Sequence, residues 1–481
     1  MNRRLIVRLQ GAMLVLEAVL MIPALVLSLC YGEGDAHAFL KSMGVLLVLG
    51  LPMWFLAKPT SGSLRQREGL VSVALSWILL SAFGALPYLF SGVIPDISNA
   101  VFESASGFTT TGATILRVPE ALPRGILLWR SFTLWIGGMG VLVLTLALLP
   151  QMTERSSYLI RAESPGPSLS KLVPRMGDMA KILYMIYTAL TVLQTLALMA
   201  AGLSPFDAVI HAMGTAGTGG FSNYAASMGH FQNVWVEGIS TAFMVLFGIN
   251  FAVFYYVIRG SWRDALKSEE LRWYALALVA AALACALLIL PQYGNWWTAL
   301  RHGAFQVAST LSTTGYATQD IDQWHQGAKM ILFVLMLVGA CGGSTTGGMK
   351  MVRMVLLIKI ARREIQRVFR PRKIQAVRFE GKAVDDHAIG QVLVFFFLFM
   401  AMAAVGAFVL SLENHFTFEF NLTTAIASIS NGGAGFGVVD PAVSLADYEW
   451  GSKLTLVFLM LLGRLEIFPM LVLFHPSIWK K

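Results

Sequence analysis

Four copies of one short glycine-rich stretch divide this chain, and each copy lies between two apolar segments. They are Phe108–Ala113 (FTTTGA), Ala216–Phe221 (AGTGGF), Leu311–Tyr316 (LSTTGY) and Asn431–Phe436 (NGGAGF). The copies recur about every hundred residues, which is typical of an internal repeat. Their aligned central glycines are Gly112, Gly219, Gly315 and Gly433. Four such turns entering a membrane from a single chain predict a pseudo-fourfold pore lined by backbone carbonyls.

The composition is that of a polytopic membrane protein. Of 481 residues, 56% are hydrophobic and only 13% are charged, whereas soluble domains carry about 25% charged residues. The apolar run from Leu5 to Cys30 is long enough to span a bilayer and lacks a small-residue cleavage site, so it predicts a retained helix rather than a signal peptide. The cysteines Cys30, Cys285 and Cys341 have neither metal-ligand nor disulfide spacing.

The positive charge lies in alternate connections between the apolar segments. Lysines and arginines gather in every second connection, including the long stretch Lys350–Lys382, while the intervening connections carry acidic residues such as Asp96 and Asp447. By the positive-inside rule, the N-terminus, the basic connections and Lys480–Lys481 are expected in the cytoplasm, and all four glycine-rich stretches face the other side. The basic stretches have no interleaved aromatic residues and no DNA-binding motif, so no nucleic-acid partner is expected.

The hydropathy pattern predicts ten apolar segments. Two precede the first glycine-rich stretch, and the other eight form four pairs. The second members of the pairs are Ile126–Leu149, Val234–Ile258, Met330–Ile360 and Leu454–Phe474. Between the two members of each pair lies a short segment, here called a descent, that is expected to enter the membrane as a helix. At about 1.5 Å per residue, a descent is too short to cross a hydrocarbon core of about 30 Å. The descents are Ile97–Gly107, Pro205–Gly214, Trp297–Ser312 and Phe418–Ile429.

The predicted fold is therefore an all-α polytopic membrane protein. Four helix–pore helix–loop–helix repeats surround a central pore, and two additional transmembrane helices precede them. The predicted boundaries are 1–66 for the two N-terminal helices, 67–160, 161–265 and 266–382 for the first three repeats, and 383–481 for the fourth. The third repeat includes the interrupted helix and the basic connection.

A glycine in each turn suits a cation filter. Backbone carbonyls can replace the water shell of a cation without burying a formal charge, and aiming them at one axis needs backbone angles that glycine adopts at little cost. Each descending helix also points its partially negative C-terminal end toward the axis. The alternative is that these small residues only allow helices to pack closely. The candidate filter residues are Thr109, Thr110, Thr111, Gly112, Gly217, Thr218, Gly219, Thr313, Thr314, Gly315, Asn431, Gly432 and Gly433.

The segment Met330–Ile360 is interrupted by Gly339–Gly348 (GACGGSTTGG). Each glycine costs a helix about 1 kcal/mol relative to alanine, so a non-helical stretch is expected. It is not a phosphate-binding loop, because Met351 stands where a serine or threonine should follow Lys350 and no strand precedes it. No nucleotide is expected to bind this chain. A non-helical stretch at membrane depth must be sheltered by protein or line a cavity; the alternative is a passive kink.

With these features the chain resembles the membrane subunits of Trk-type bacterial potassium uptake systems, the TrkH/TrkG branch of the Trk/Ktr/HKT superfamily. The resemblance covers essentially the whole chain. It is carried by Phe102–Ala113, Trp135–Gly140 (WIGGMG), Gly248–Phe251 (GINF), Gly342–Lys350 (GGSTTGGMK) and Leu462–Glu466 (LGRLE). The fourth glycine-rich stretch departs most from the family pattern, with two adjacent glycines and no threonine, and Gly433 is the favoured counterpart.

The resemblance implies that the four loops form a potassium filter and that the interrupted helix is an intramembrane gate beneath it. The implied gate residues are Gly342, Gly343, Ser344, Thr345, Thr346, Gly347, Gly348 and Arg464. Arg464 lies ten residues inside the segment Leu454–Phe474, so it should face the interior and have partners; the alternative role is an ion pair with Glu466 or another acid. K⁺ is the implied cargo. The implied partners are membrane lipid, a second copy of the chain and a cytoplasmic nucleotide-binding regulator of the TrkA kind, docked on Lys350–Lys382.

Three other functions are alternatives to potassium uptake across the bacterial inner membrane. A sodium-permeable or proton-coupled symporter of the same superfamily remains open, although Gly112 stands where the sodium-transporting plant branch has serine. A secondary transporter with inverted repeats would alternate the orientation of its repeats, whereas these four share one orientation by the charge rule. An enzyme is not expected, because no nucleophile–base pair, metal cluster or paired carboxylate occurs at membrane depth.

Overall fold

Apolar helices make up nearly all of the structure, a computed structural model that describes residues 2–57, 66–140, 176–371, 375–433, 435 and 445–476. Within these residues, six helices are long and apolar enough to cross a bilayer, and one bent pair adds a seventh candidate. The six are Arg3–Tyr31, Ala36–Leu56, Arg67–Ser91, Ala180–Ala200, Glu269–Tyr293 and Asp386–Ser411. The chain is therefore an all-α membrane protein, as predicted.

The N-terminal helices pack on each other and on the first repeat. Arg3–Leu20 continues after Met21 into Ile22–Tyr31, and Ala36–Leu56 returns along it. The two helices touch at Gly11 and Gly50, where a Cβ on Gly50 would lie 3.0 Å from the backbone oxygen of Gly11. Small residues at such a crossing let backbones approach closely inside a membrane.

Each of the four repeats contains an outer helix, a pore helix, a turn and an inner helix. The outer helices are Gln66–Phe83 with its extension Leu86–Ser91, Met176–Ala200, Glu269–Tyr293 and Asp386–Ser411. The pore helices are Ile97–Phe108, Pro205–Ala216, Trp296–Leu311 and Phe418–Ile429. The inner helices are Arg124–Gly138, Val234–Phe247, Gln326–Val338 and Trp450–Arg464. The four predicted descents are thus helices with nearly the predicted bounds.

Every pore helix begins at a polar residue whose side chain accepts a backbone N–H of the first turn. These N-caps are Asp96, Ser204, Asn295 and Thr417. Three of the pore helices have 12 residues, which is about 18 Å of helix and only part of a bilayer. The cap therefore fixes the first turn of each helix, and each helix is too short to span a bilayer by itself.

The inner helices all end part-way through the segments that hydropathy predicts. The segment Val234–Ile258 was expected to be continuous, but it bends by 92° between Phe247 and Phe251. The bend has a local cause, because the Asn250 side chain caps the new helix Phe251–Ile258 by accepting the N–H of Ala252. The segment Leu454–Phe474 is broken as well: its helix ends at Arg464, and Phe468–Leu473 follows after two residues with positive φ.

The interruption of Met330–Ile360 is present, with residues 339–350 non-helical between Val338 and Met351. The helix Met351–Phe369 and a short antiparallel hairpin, Arg378–Phe379 with Lys382–Ala383, follow it. The remaining elements are the helix Trp262–Leu266 and the 3₁₀ turns Pro119–Ala121, Ser227–Phe231, Ile321–Gln323 and Leu445–Asp447. The second half of Ile126–Leu149, the predicted boundary between repeats one and two, and Lys480–Lys481 lie outside the described residues.

Candidate functional site

The four turns after the pore helices share one backbone conformation. We name them loop 1 (109–112), loop 2 (217–220), loop 3 (312–315) and loop 4 (430–433). In each loop the second residue and the final glycine have positive φ. The second residues are Thr110, Thr218, Thr313 and Asn431, with φ between 50° and 57°. The glycines are Gly112, Gly220, Gly315 and Gly433, with φ between 66° and 95°. All thirteen candidate filter residues lie in these loops.

This register corrects one residue of the sequence alignment. Gly220, rather than Gly219, is the counterpart of the other three glycines, and it was missing from the candidate set. Gly219 instead occupies the position of Thr111, Thr314 and Gly432. The prediction that Gly433, rather than Gly432, is the fourth counterpart agrees with the positive φ of Gly433. Two adjacent glycines made both stretches ambiguous by sequence alone.

The hydrogen bonds that end the pore helices support the same register. In every loop, the residue before the glycine donates its N–H to a carbonyl five residues back. The pairs are Thr111 to Ser106 (2.9 Å), Gly219 to Gly214 (3.0 Å), Thr314 to Ser309 (2.8 Å) and Gly432 to Ala427 (2.9 Å). A residue in the left-handed region followed by such a bond is a standard way to close a helix C-terminus. The four turns are therefore structural copies.

The glycines of the four loops form a closed ring. Each faces the backbone oxygen of the residue before the glycine in the next loop. A Cβ on Gly112 would overlap the oxygen of Gly219, and one on Gly220 would overlap that of Thr314. A Cβ on Gly315 would lie 3.6 Å from the oxygen of Gly432, and one on Gly433 would lie 4.0 Å from that of Thr111. Loop 4 thus returns to loop 1, and the loops surround one axis in chain order.

The ring alternates in its side chains. In loops 1 and 3 hydroxyl groups pair across the turn, Thr109 with Thr111 (2.8 Å) and Ser312 with Thr314 (2.7 Å). In loops 2 and 4 the residue before the final glycine is itself glycine. In loop 4 the Asn431 amide donates to Thr111 Oγ1 of loop 1 (3.0 Å) and to the Met460 backbone oxygen on the fourth inner helix (2.9 Å). The backbone is near fourfold, whereas the side chains follow a twofold pattern.

The non-helical residues 339–350, which we name the intramembrane loop, touch the ring directly. The N–H of Gly347 donates to Thr313 Oγ1 (2.8 Å), and the N–H of Gly348 donates to the Ser430 oxygen (2.8 Å). A Cβ on Gly347 would overlap that same oxygen of Ser430, so glycine is required for this approach. The intramembrane loop is therefore fastened against loops 3 and 4.

A buried carboxylate links the intramembrane loop to the helix that follows it. Glu270, on the third outer helix, accepts the N–H of Gly342 (2.7 Å) and that of Val352 (3.2 Å) through one oxygen. The loop also meets the second inner helix at its bend, where Cys341 donates its N–H to the Gly248 oxygen (3.1 Å). Because a buried acceptor that loses its donors costs free energy, these two hydrogen bonds make Glu270 a principal restraint on this loop.

Arg464 connects the intramembrane loop to the ends of two inner helices. Its guanidinium donates to the backbone oxygen of Thr345 (2.9 Å) and to those of Gly137 and Gly138, the latter at 2.7 Å. Arg464 was expected in mid-segment, and it lies instead at the C-terminal end of the fourth inner helix. Glu466 forms an ion pair with Arg353. Arg464 thus donates hydrogen bonds to backbone carbonyls that have no partner within the helix where the first inner helix ends.

A buried ion pair braces the ring on the side of the pore-helix N-termini. Arg130 Nε lies 2.5 Å from Glu103 Oε1, and both side chains are almost fully buried. Glu103 also accepts the N–H of Ile115 (3.0 Å), and Arg130 donates to the Ser222 oxygen (2.8 Å) and stacks on the Phe221 ring. The pair therefore ties the chain leaving loop 1 to the chain leaving loop 2.

Replacing Arg130 with glutamine is expected to destabilise the protein by about 3–5 kcal/mol, because the Glu103 carboxylate is left buried without its partner. The measurement is thermal unfolding of the purified protein in detergent. The matched control is Arg117→Gln, which breaks the exposed pair with Asp447 and should cost no more than about 1 kcal/mol. Equal melting temperatures for the two variants would contradict this role of Arg130.

Sequence reasoning missed Gly220, Glu270 and the fastening of the intramembrane loop to loops 3 and 4. Glu270 resembles an ordinary acidic residue in the first turn of a helix, and nothing local indicates its distant partners. Among the described residues, no group of three or more histidine, cysteine or acidic side chains is placed to hold a metal ion. The oxygen-rich ring is thus the outstanding candidate site for a cation.

Comparison with known proteins gives a consistent result. A family model described as TrkH, cation transport protein, matches residues 36–301 and 291–481. The Trk system potassium uptake protein TrkH of Halomonas elongata is 35% identical over 500 residues, covering 100% of both chains. The TrkH protein of Escherichia coli K12 is 34% identical with the same coverage, and TrkG of that organism is 32% identical over 99% of each chain. The crystal structure of the potassium transporter TrkH from Vibrio parahaemolyticus aligns with a TM-score of 0.90, 32% identity and 100% coverage of both chains.

Proposed function

The chain belongs to the TrkH family of cation transport proteins, a family of transporters rather than enzymes, and from this premise we propose that it carries K⁺ into a bacterial cell across the inner membrane. The observation that carries the proposal is the closed ring of the four loops. Potassium uptake is also what the names of the full-length relatives state.

In this proposal the ring is a potassium filter. A K⁺ ion at the axis exchanges water oxygens for backbone oxygens of the four loops. The four pore helices end at these loops, so their partially negative C-terminal ends add a field that favours a cation. The filter consists of the candidate residues named from the sequence together with Gly220.

The intramembrane loop acts as the gate, with Gly342, Gly343, Ser344, Thr345, Thr346, Gly347, Gly348 and Arg464 as its main residues. Its contacts with Thr313 and Ser430 hold it against the ring, and Glu270 and Arg464 hold it from the other side. Release of these contacts would open the axis. An inside-negative potential supplies about 2.3 kcal/mol per elementary charge per 100 mV for inward movement.

The chain works in the proposal as one part of an assembly. A homodimer embedded in lipid, with its termini in the cytoplasm, binds a nucleotide-binding regulator of the TrkA kind. The basic helix Met351–Phe369 directly follows the intramembrane loop, so a regulator docked on Lys350–Lys382 would act on the gate through a single helix. The nucleotide belongs to the regulator rather than to this chain.

The test is cation flux into liposomes that contain the purified protein, measured with K⁺, Rb⁺ and Na⁺ and without a proton gradient. We expect K⁺ and Rb⁺ flux well above Na⁺ flux. Equal Na⁺ flux would overturn potassium selectivity and favour the sodium-permeable alternative, and flux that appears only with a pH gradient would favour the proton-coupled symporter. Liposomes with the Gly112→Ala protein provide the background.

A further inference from the structure

The intramembrane loop ends at Lys350, a lysine whose side chain is buried. Its exposed fraction is 8%, whereas Arg362 and Arg367 on the helix that follows are exposed. Lys350 therefore offers little surface to a docked regulator, although it begins the basic stretch Lys350–Lys382. A buried ammonium group needs hydrogen-bond acceptors within the protein, so the role of Lys350 is to be found inside the loop.

The backbone at Lys350 has a conformation that lysine rarely adopts. Its φ is +73°, in a region that residues with a Cβ seldom occupy. Such strain persists only where the surrounding structure holds it, and it is common at functional sites. Here the N–H of Met351 donates to the Ala340 oxygen (2.8 Å), and Lys350 accepts the N–H of Arg353 (3.1 Å) where the next helix begins. Both neighbours of Lys350 are thus fixed, and the side chain starts from a defined point.

Two successive carbonyls of the intramembrane loop each accept a hydrogen bond from a cation. Arg464 donates to the Thr345 oxygen (2.9 Å), and the Lys350 ammonium donates to the Thr346 oxygen. The N–H groups of the next two residues donate to loops 3 and 4 of the ring. Thr345 and Thr346 are at most 1% exposed, and buried carbonyls need a partner. The two cations therefore satisfy carbonyls that lie next to the contact with the ring.

The charged groups around Lys350 leave positive charge in excess. Those that interact with it are Arg464, Arg353, Glu466 and Glu270, and Arg353 is paired with Glu466. Even with both carboxylates ionised, three cations face two anions among these residues. Like charges repel, so a K⁺ ion that leaves the ring meets an unfavourable field as long as the Lys350 ammonium stays in place.

We propose that the Lys350 ammonium occupies a cation site on the intramembrane loop, with the Thr346 oxygen as a ligand, and that K⁺ takes this site when Lys350 leaves it. An ammonium group and K⁺ are both monovalent cations that carbonyl oxygens bind. The hydroxyl groups of Ser344 and Thr346, 2.7 Å apart, add oxygens in the same loop. Lys350 is thus a tethered competitor of K⁺. Its effect on flux rests on the proposed conduction path, whereas occupancy of the site does not.

Occupancy is tested without transport, by anomalous scattering from Rb⁺ in crystals of the purified full-length protein. Lys350→Met removes the ammonium and keeps an unbranched side chain, whereas Lys350→Arg keeps a positive charge. The matched control is Lys329→Met, because Lys329 also donates to a backbone oxygen, that of Asp322 (3.3 Å), at the start of the third inner helix. We expect an Rb⁺ peak at the Thr346 oxygen in Lys350→Met and none there in the other three proteins.

Absence of this peak from Lys350→Met would overturn the proposal, as would its presence in the wild type. Should Lys350→Met fail to purify, Lys350→Gly replaces it, because glycine removes the ammonium and adopts the positive φ at little cost. The same peak is expected in Lys350→Gly.

Flux into liposomes gives a second measurement. Removing a competitor should lower the half-saturating Rb⁺ concentration about tenfold, the effect of one hydrogen bond to a charged group, and leave the flux at saturating Rb⁺ unchanged. A purely structural role would change the maximal flux without moving that concentration, and this result would overturn the proposal. Absence of flux through the wild type would contradict the proposed function instead, and the Rb⁺ peak at Thr346 would still decide the role of Lys350.

Discussion

Replacing Gly112 with alanine is expected to abolish potassium uptake. Gly112 has φ +73°, which costs a residue with a Cβ about 1–2 kcal/mol. The larger effect is steric, because the added methyl group would overlap the backbone oxygen of Gly219 in the next loop. That oxygen belongs to the ring and cannot move without shifting loop 2, so the substitution should deform two of the four loops together.

Two further alanine substitutions separate overlap from backbone strain. Gly315 has a similar φ of +81°, but the nearest atom to its Cβ would be 3.3 Å away, so Gly315→Ala should retain part of the uptake. Gly238, in the second inner helix, has no atom within 4 Å of its Cβ position, and Gly238→Ala should match the wild type. The measurement is Rb⁺ uptake in cells without other potassium uptake systems, normalised to the amount of protein in the membrane. Wild-type uptake by Gly112→Ala would contradict the ring as the conduction path.

Replacing Arg464 with alanine is expected to raise cation leak through the protein in the absence of any regulator. The substitution removes the hydrogen bonds to Thr345, Gly137 and Gly138. Hydrogen bonds to charged groups contribute about 1.5–3 kcal/mol each. If two of the three favour the proposed closed arrangement at the lower value, their loss of about 3 kcal/mol would shift the closed-to-open ratio by more than about 100-fold. Glu270→Ala, which removes a second restraint, should change leak in the same direction.

The measurement is Rb⁺ flux into liposomes at equal protein content, with Arg117→Ala as the arginine control in an exposed ion pair. Preference for Rb⁺ over Na⁺ should persist in Arg464→Ala, because Arg464 contacts the intramembrane loop and not the glycines of the ring. Unchanged Rb⁺ flux would show that Arg464 does not restrain the gate. Loss of ion preference would point instead to a damaged filter.

The sequence predicts the parts of this fold that depend on local chemistry. The pore helices follow from polar N-caps, short apolar stretches and glycine-rich ends, and their bounds are nearly as predicted. The bend at Gly248 was not predicted, because one glycine and one asparagine barely lower the hydropathy of Val234–Ile258. The local cap by Asn250 is joined there by a distant contact that the sequence does not reveal, since the N–H of Phe251 donates to the Gly343 oxygen (3.0 Å).

The ring shows the same difference between features set by nearby residues, which the sequence predicts, and features set by distant contacts, which it does not. The presence of a glycine in each loop is visible in the sequence, but the choice between Gly219 and Gly220 is not, because both neighbours are equally free in conformation. It is decided by the close approach of Gly220 to Thr314, a residue of another repeat. Glu270 was missed for the same physical reason, since both of its hydrogen-bond donors lie more than seventy residues away in the chain.

The four loops of the ring belong to a single chain, so each loop can differ in sequence from the other three. In a channel of four identical subunits every substitution is present in all four, so no subunit can change alone. Here each loop has its own sequence, and the loops make different contacts. Thr313 of loop 3 and Ser430 of loop 4 accept hydrogen bonds from the intramembrane loop. Gly112 of loop 1 and Gly220 of loop 2 make the closest approaches to the next loop. Changes in loops 3 and 4 can therefore alter how the intramembrane loop is held, while loops 1 and 2 keep their close backbone contacts.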